Sequence, residues 1–260
     1  MITSLANKTI KDAAALKKPG RRKESGLILI DGRREIEMAA RARVEIVSLF
    51  YCLKFIDGQT DIFRLADPEK RMEVSETAFK KICYKENPDG WLALARPKNK
   101  NLEDLKLSAG ALVVVLENVE KPGNLGGVIR TARAAGVEAI IINNEQTDIY
   151  NPNVIRASEG QVFMENIISA PVDETIKWLK NRKIKSFGAA TIGAKFYTEV
   201  DWRGRAAIVL GSEAEGLSGR WLEEADQLIK IPMKEGIDSL NVSVAAAIII
   251  YEALRQRMIK

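Results

Sequence analysis

Residues 211–257 read GSEAEGLSGRWLEEADQLIKIPMKEGIDSLNVSVAAAIIIYEALRQR, and this stretch decides the fold. The apolar run 206–210 breaks into Gly211-Ser212-Glu213-Ala214-Glu215-Gly216. A second short apolar run, 228–231, meets Pro232, and a polar loop leads to Ser239-Leu240-Asn241. A long apolar helix follows, for which Asn241 is placed as the N-cap. Two polar loops that each leave a strand and lie near one helix are the arrangement by which an α/β sheet builds a site at its strands' carboxyl ends.

Upstream of this stretch the second half alternates strand and helix. The run 111–116 (ALVVVL) is continuously apolar, as a strand buried on both faces must be. The loop ENVEKPGNLGG follows, then a helix from about 127 to 135 ended by Gly136. Strands at 137–142 and 184–191, short helices at 154–158, 173–181 and 221–224, and the runs 206–210 and 228–231 complete an open, mostly parallel sheet with helices on both faces. The first ninety-odd residues also alternate: a helix over 2–18 stopped by Pro19-Gly20, strands at 27–30, 44–53 and 91–95, and a loop over 57–70. They imply a separate, small α/β sandwich. Residues 97–109, polar and lysine-rich, read as the linker. The expected domains are therefore 1–96 and 110–260.

Composition narrows the chemistry. The chain has 260 residues, Lys+Arg 40 against Asp+Glu 35, a net charge of +5, and no histidine. The missing imidazole excludes Ser/His/Asp and Cys/His triads. Two cysteines in no ligand spacing leave no zinc site and fit a reducing, cytoplasmic setting. No apolar run is long enough to span a membrane. Basic residues crowd the beginning, where Arg21, Arg22 and Lys23 read equally as a phosphate-contacting edge or as a solvated, frayed N-terminal segment.

Three patches carry candidate chemistry: Asn124 to Arg130, Gly211 to Gly216, and Ile231 to Met233 with Ser239 to Asn241. Each alone reads as an ordinary turn or helix start. A dinucleotide fold is disfavoured, because the glycines at 123, 126 and 127 do not form G-x-G-x-x-G after a tight turn.

Together the patches resemble the SpoU (TrmH-like) family of RNA ribose 2′-O-methyltransferases, within the SPOUT class. Its N-x-G-x-x-x-R motif matches Asn124 to Arg130, its G-x-E-x-x-G matches Gly211 to Gly216, and its I-P-M and S-L-N-V-S-V-A-A match 231–233 and 239–246. Residues 2–34 resemble the substrate-binding domain of rRNA-type members, itself similar to a ribosomal-protein sandwich. The resemblance implies a deep trefoil knot in the C-terminal domain, a homodimer, S-adenosyl-L-methionine as cofactor and no metal. It implies cofactor contacts at Gly211, Ile231, Leu240 and Thr191, and a polar catalytic set of Asn124, Glu213, Ser239 and Asn241. Arg130 matches the residue proposed to activate the ribose hydroxyl, either as a base deprotonated transiently in a dry site or, the account favoured by a guanidinium pKa above about 12, as a cation that orients and polarises that hydroxyl. RNA contacts are expected at Arg21, Arg22, Lys23, Arg133 and Arg156. The expected substrate is large-subunit rRNA; the alternatives are tRNA, or RNA binding without catalysis as a ribosome-assembly protein.

Overall fold

A computed structural model of the chain describes residues 1–58, 61–98, 100–164, 166–191 and 195–258. Asn99 of the expected linker, Gln59 and Thr60 of the expected 57–70 loop, and the last two residues of the expected second domain lie outside the described residues. The chain forms two compact units, one of residues 1–98 with 148–164, the other of 99–147 with 165–260.

The first unit begins with α1 (Lys8–Ala15), α2 (Pro19–Ser25), β1 (Ile28–Asp31), α3 (Arg33–Arg41), β2 (Glu45–Tyr51), β3 (Arg71–Glu73), α4 (Glu76–Ile82) and β4 (Trp91–Arg96). Its sheet runs β1-β4-β2-β3; β4 is antiparallel to both neighbours, and β2 pairs with β3 in parallel. Helix α1 is shorter than its apolar spacing suggests. Asn7 caps it by accepting from Thr9 N, while Ile2 bridges to Val74 instead. Pro19 does not stop a helix but starts one, because the N–H that proline lacks has no partner in a first turn anyway. Gly26, at φ 65°, ends α2 in the left-handed region.

The second unit holds β5 (Leu112–Glu117), α5 (Pro122–Ala134) and β6 (Ala139–Asn143). The next helix, α6 (Pro152–Ala157), belongs to the segment that packs into the first unit. A reason lies in Arg22, whose guanidinium is buried: Nε donates to Asp148 Oδ2 at 2.6 Å and Nη1 to the carbonyls of Leu16 and Lys17. The second unit resumes with β7 (Ile167–Ser169), α7 (Val172–Asn181), β8 (Lys185–Ala189), β9 (Lys195–Phe196), β10 (Ala206–Leu210), α8 (Gly219–Glu224), β11 (Gln227–Lys230) and α9 (Val242–Met258). Its seven strands run β7-β6-β5-β10-β8-β11-β9, and every pairing is parallel.

Alternation along the buried strands divides the core. Val113, Val115, Ile141, Ala207 and Val209 pack with Ile176, Trp178 and Leu179 of α7 and Trp221 of α8. Successive side chains point to opposite faces, which leaves Val114, Leu116, Ile208 and Leu210 to the other, where α9 lies against β10 and α5. Leu102 and Leu105, in the stretch read as a linker, are buried in the first of these cores. Helix α5 starts five residues earlier than expected. Pro122 takes its first position, so Gly123, Asn124 and Gly126 sit in opening turns rather than on a loop.

One buried polar group locks α7 and α8 onto the sheet. Asn143 Nδ2 donates to Ala170 O and Thr175 Oγ1, both at 2.8 Å, and its Oδ1 accepts from Trp221 Nε1 at 3.1 Å. Asn143→Ala strands these groups without partners, and it is expected to cost about 2–4 kcal/mol of stability, measured by denaturant unfolding followed through tryptophan fluorescence.

Candidate active site

A parallel sheet delivers the ends of all its strands to one edge. The chain leaving β10 there must turn at once. Ser212 and Gly216 exchange both backbone hydrogen bonds at 3.1 Å, closing a tight loop, and Gly216 takes φ +69°. A Cβ on Gly211 would lie 2.0 Å from the carbonyl carbon of Gly216, so only glycine fits at 211. Ser218 N, at the loop's far end, donates to Glu117 Oε2 at 2.8 Å. Glu117 is completely buried at the end of β5. The loop is thereby tied to the neighbouring strand as well as to itself.

This closure aims the Glu213 side chain across the edge. Its Oε1 accepts from Asn124 Nδ2 at 2.7 Å, from Asn241 Nδ2 at 2.6 Å and from Val242 N at 3.4 Å. Its Oε2 accepts from Lys121 Nζ at 2.8 Å. Asn241 Nδ2 also lies 3.1 Å from Asn124 Oδ1, and Asn241 Oδ1 accepts from Ser243 N and Ser243 Oγ. Asn241 therefore caps α9, as expected, and joins the cluster at the same time. The start of α9 can approach α5 because Gly127 has no side chain; a Cβ there would sit 3.4 Å from Ser243 Cβ.

The electrostatics follow the geometry. The Lys121 ammonium holds the Glu213 carboxyl below its ordinary range, with burial opposing and the Val242 amide and Asn124 reinforcing. In return, Glu213 raises Lys121. The site thus pairs an ionised carboxylate with two side-chain amides whose direction it fixes.

The other expected residues are placed as follows. Arg130 lies on α5 six residues beyond Asn124, about 9 Å along the axis and roughly a third of a turn around it; it is exposed, as is Arg133. Ser239 and Thr191 are exposed and are not among Glu213's partners, whereas Gly211, Ile231 and Leu240 are half-buried at the strand ends and the loop before α9. On α2, Arg21 and Lys23 are exposed, Arg21 pairing with Glu24 at 2.6 Å. Arg22 corrects the expectation for that trio: its guanidinium is spent on Asp148 inside the first unit and does not present charge to solvent. Arg156 is exposed on α6, within the first unit. Sequence reasoning missed Lys121 and Glu117. An acid closing a wholly apolar strand was the available signal for Glu117; nothing set Lys121 apart from a solvated lysine.

Among the described residues no cluster of acidic, cysteine or histidine side chains could hold a metal ion, and no helix is long and apolar enough to cross a membrane. Comparison with known proteins gives consistent matches. The sequence model of the SpoU rRNA methylase family matches residues 111–251, and that of the MRM3-like substrate binding domain matches 7–93. The 23S rRNA (guanosine(2553)-2′-O)-methyltransferase RlmP of Bacillus subtilis is 28% identical over 96% of this chain and 97% of its own. A crystal structure of an RNA 2′-O ribose methyltransferase superposes with a TM-score of 0.86 and 39% identity over 99% of each chain. The AdoMet-bound rRNA methyltransferase from Sinorhizobium meliloti does so with a TM-score of 0.90 and 29% identity, over 98% of this chain and 97% of that one.

Because the folded Glu213 carboxyl lies below its unfolded value, its contribution to stability is fully present above the ordinary glutamate pKa of about 4.3. It is lost as pH falls through the folded value. Denaturant midpoints measured from pH 6 to pH 3 should fall more steeply for the wild type than for Glu213→Gln.

Proposed function

The chain belongs to the SpoU rRNA methylase family and is an S-adenosylmethionine-dependent rRNA ribose 2′-O-methyltransferase; we propose that it acts on large-subunit rRNA, with Arg130 and the Asn124–Glu213–Asn241 cluster forming the catalytic centre. The observation that carries the assignment of the site is the convergence of the three motif segments on one carboxylate, Glu213.

The residues at the strand ends fit the cofactor. Ile231, Met233 and Leu240 are half-buried rather than buried, which leaves apolar flanks for an adenosyl group beside backbone donors and acceptors. Gly211, Ile231 and Leu240 would hold it, joined by Thr191. When bound, S-adenosylmethionine supplies a methyl group on a sulfonium. The protein's task is then to bring a ribose oxygen into line and to shift its proton. Arg130 serves as a fixed cation that polarises the 2′-hydroxyl and anchors a neighbouring phosphate, to which or to water the proton departs. Asn124, Ser239 and Asn241 supply donors and acceptors for the acceptor ribose. Only RNA offers the 2′-hydroxyl.

Arg21, Lys23, Arg133 and Arg156 are exposed cations suited to phosphate. A homodimer is supported by α9, where Val244, Tyr251 and Met258 recur every seven residues and are at least 48% exposed. A self-complementary apolar stripe of this kind suits a twofold interface. The trefoil knot would thread α9 through the preceding loops, in keeping with the placing of β10 between β5 and β8. Free, buried Cys52 and Cys83 accord with a cytoplasmic location.

Mapping ribose methylation in rRNA from cells with and without the protein should reveal one lost 2′-O-methyl group in the large-subunit rRNA. Loss in tRNA instead, or no loss, would redirect the assignment. Arg130→Lys should slow single-turnover methyl transfer by roughly 10²-fold with unchanged cofactor affinity; retention of most of the rate would show that guanidinium geometry is immaterial. An Arg21→Ala/Lys23→Ala double variant should weaken RNA binding and reduce its salt slope by about one per cation removed, leaving cofactor affinity alone.

A further inference from the structure

Lys121 takes no part in the family motifs, yet it forms an ion pair with Glu213 at 2.8 Å. It occupies the N-cap position of α5, just before Pro122, and its side chain is 70% exposed. An ion pair this exposed contributes little to stability, so its meaning is geometric.

Glu213 divides its two oxygens. Oε1 serves Asn124, Asn241 and the Val242 amide, and Oε2 is met by Lys121 at 2.8 Å. A carboxylate accepts at both oxygens, whereas a protonated carboxyl donates from one. Which way a side-chain amide points depends on that difference. With Glu213 ionised, both asparagines turn Nδ2 toward it; Asn124 Oδ1 is left for Asn241, and Asn241 Oδ1 for Ser243. Protonate Glu213, and the arrangement loses its direction.

We infer that Lys121 is a positioning residue for methyl transfer: by binding Glu213 Oε2 it fixes the carboxylate with its other oxygen turned toward Asn124 and Asn241. The inference rests on the methyl-transfer reading above. Among the described residues, Glu213 accepts hydrogen bonds from Lys121 and Asn124 at the start of α5 and from Asn241 and the Val242 amide at the start of α9. Glu120 lies next to Lys121 in the chain, and Glu215 on Glu213's own loop is exposed and donates its amide to Ser212 Oγ. Among the described residues, Lys121 is the cation that hydrogen-bonds Glu213. The lowered carboxyl of Glu213, for which Lys121 is the largest cause, is in keeping with this role.

The test uses the full chain as wild type, Lys121→Met and Lys121→Arg. Carbon-13 NMR of labelled glutamate carboxyls, with the Glu213 signal assigned through Glu213→Gln, gives the Glu213 titration midpoint directly. The midpoint should rise in Lys121→Met and fall back in Lys121→Arg. In single-turnover transfer to an rRNA fragment, the acid limb of the pH profile should move up by the same amount in Lys121→Met, with S-adenosylhomocysteine affinity within twofold of wild type. An unmoved midpoint overturns the inference, as does an acid limb that stays in place while the midpoint moves. A wild-type protein that titrates as expected but methylates no rRNA would count against the methyl-transfer reading and leave the hold of Lys121 on Glu213 established.

Discussion

One carboxylate does the joining in this molecule. Glu213 hangs from a loop that has no freedom of its own, since Gly211 and Gly216 meet too closely for any side chain at 211. From that fixed point it takes hydrogen bonds from α5 and from the start of α9, segments 89 and 28 residues away in the chain. The neighbouring features depend on it. Asn241 can cap α9 and face the cluster together only because its two amide atoms are divided between Ser243 and Glu213. Gly127 gives way so that α9 can come near enough. A site assembled this way demands a charged group where it is half-shielded from water. The surrounding donors meet that demand, as they must for any partly buried carboxylate.

The parallel sheet explains why three such distant segments converge. Parallel pairing brings every strand end to one edge, and β5 and β10 are direct neighbours in register from Leu112 and Ala206 to Leu116 and Leu210. The loop after each therefore begins at the same height. Glu117, buried at the last position of β5, strengthens this by binding the exit of the β10 loop. Beneath the edge, α9 is anchored at its other end by Arg257, which donates to the carbonyls of Gly110, Trp202 and Gly204; burial there depresses the guanidinium's pKa. A helix held at both ends is a stiff support for a capping residue.

Much of this was legible in the residues. The apolar runs marked the strands, and the motif segments marked the loops that converge. The failures have physical causes. Three glycines near Pro122 read as a loop, whereas proline's fixed φ starts a helix there, and Gly127 answers a close approach from Ser243 that the sequence does not display. Pro19-Gly20 misled in the same way. Arg22 looked like one of three solvated cations; only the folded chain shows it turned inward to Asp148, a residue 126 positions away. Lys121 stood in a polar loop with no periodicity to single it out. Local patterns report elements, while the partners of a charge are set by tertiary proximity.

The ion pair between Arg22 and Asp148 has a bearing on domain exchange. The first unit is discontinuous: its later piece, 148–164, lies within the stretch matched by the methylase family. A domain appended to another is often free to be exchanged as a unit. Here residues 148–164, from inside the methylase match, belong to the first unit and include the acid that neutralises its buried guanidinium. Exchange of residues 1–98 alone would leave that acid unmatched and Val154 and Ile155, now buried, without cover. An exchange of residues 1–98 would therefore have to carry 148–164 with it to keep the first unit's core and its buried ion pair intact.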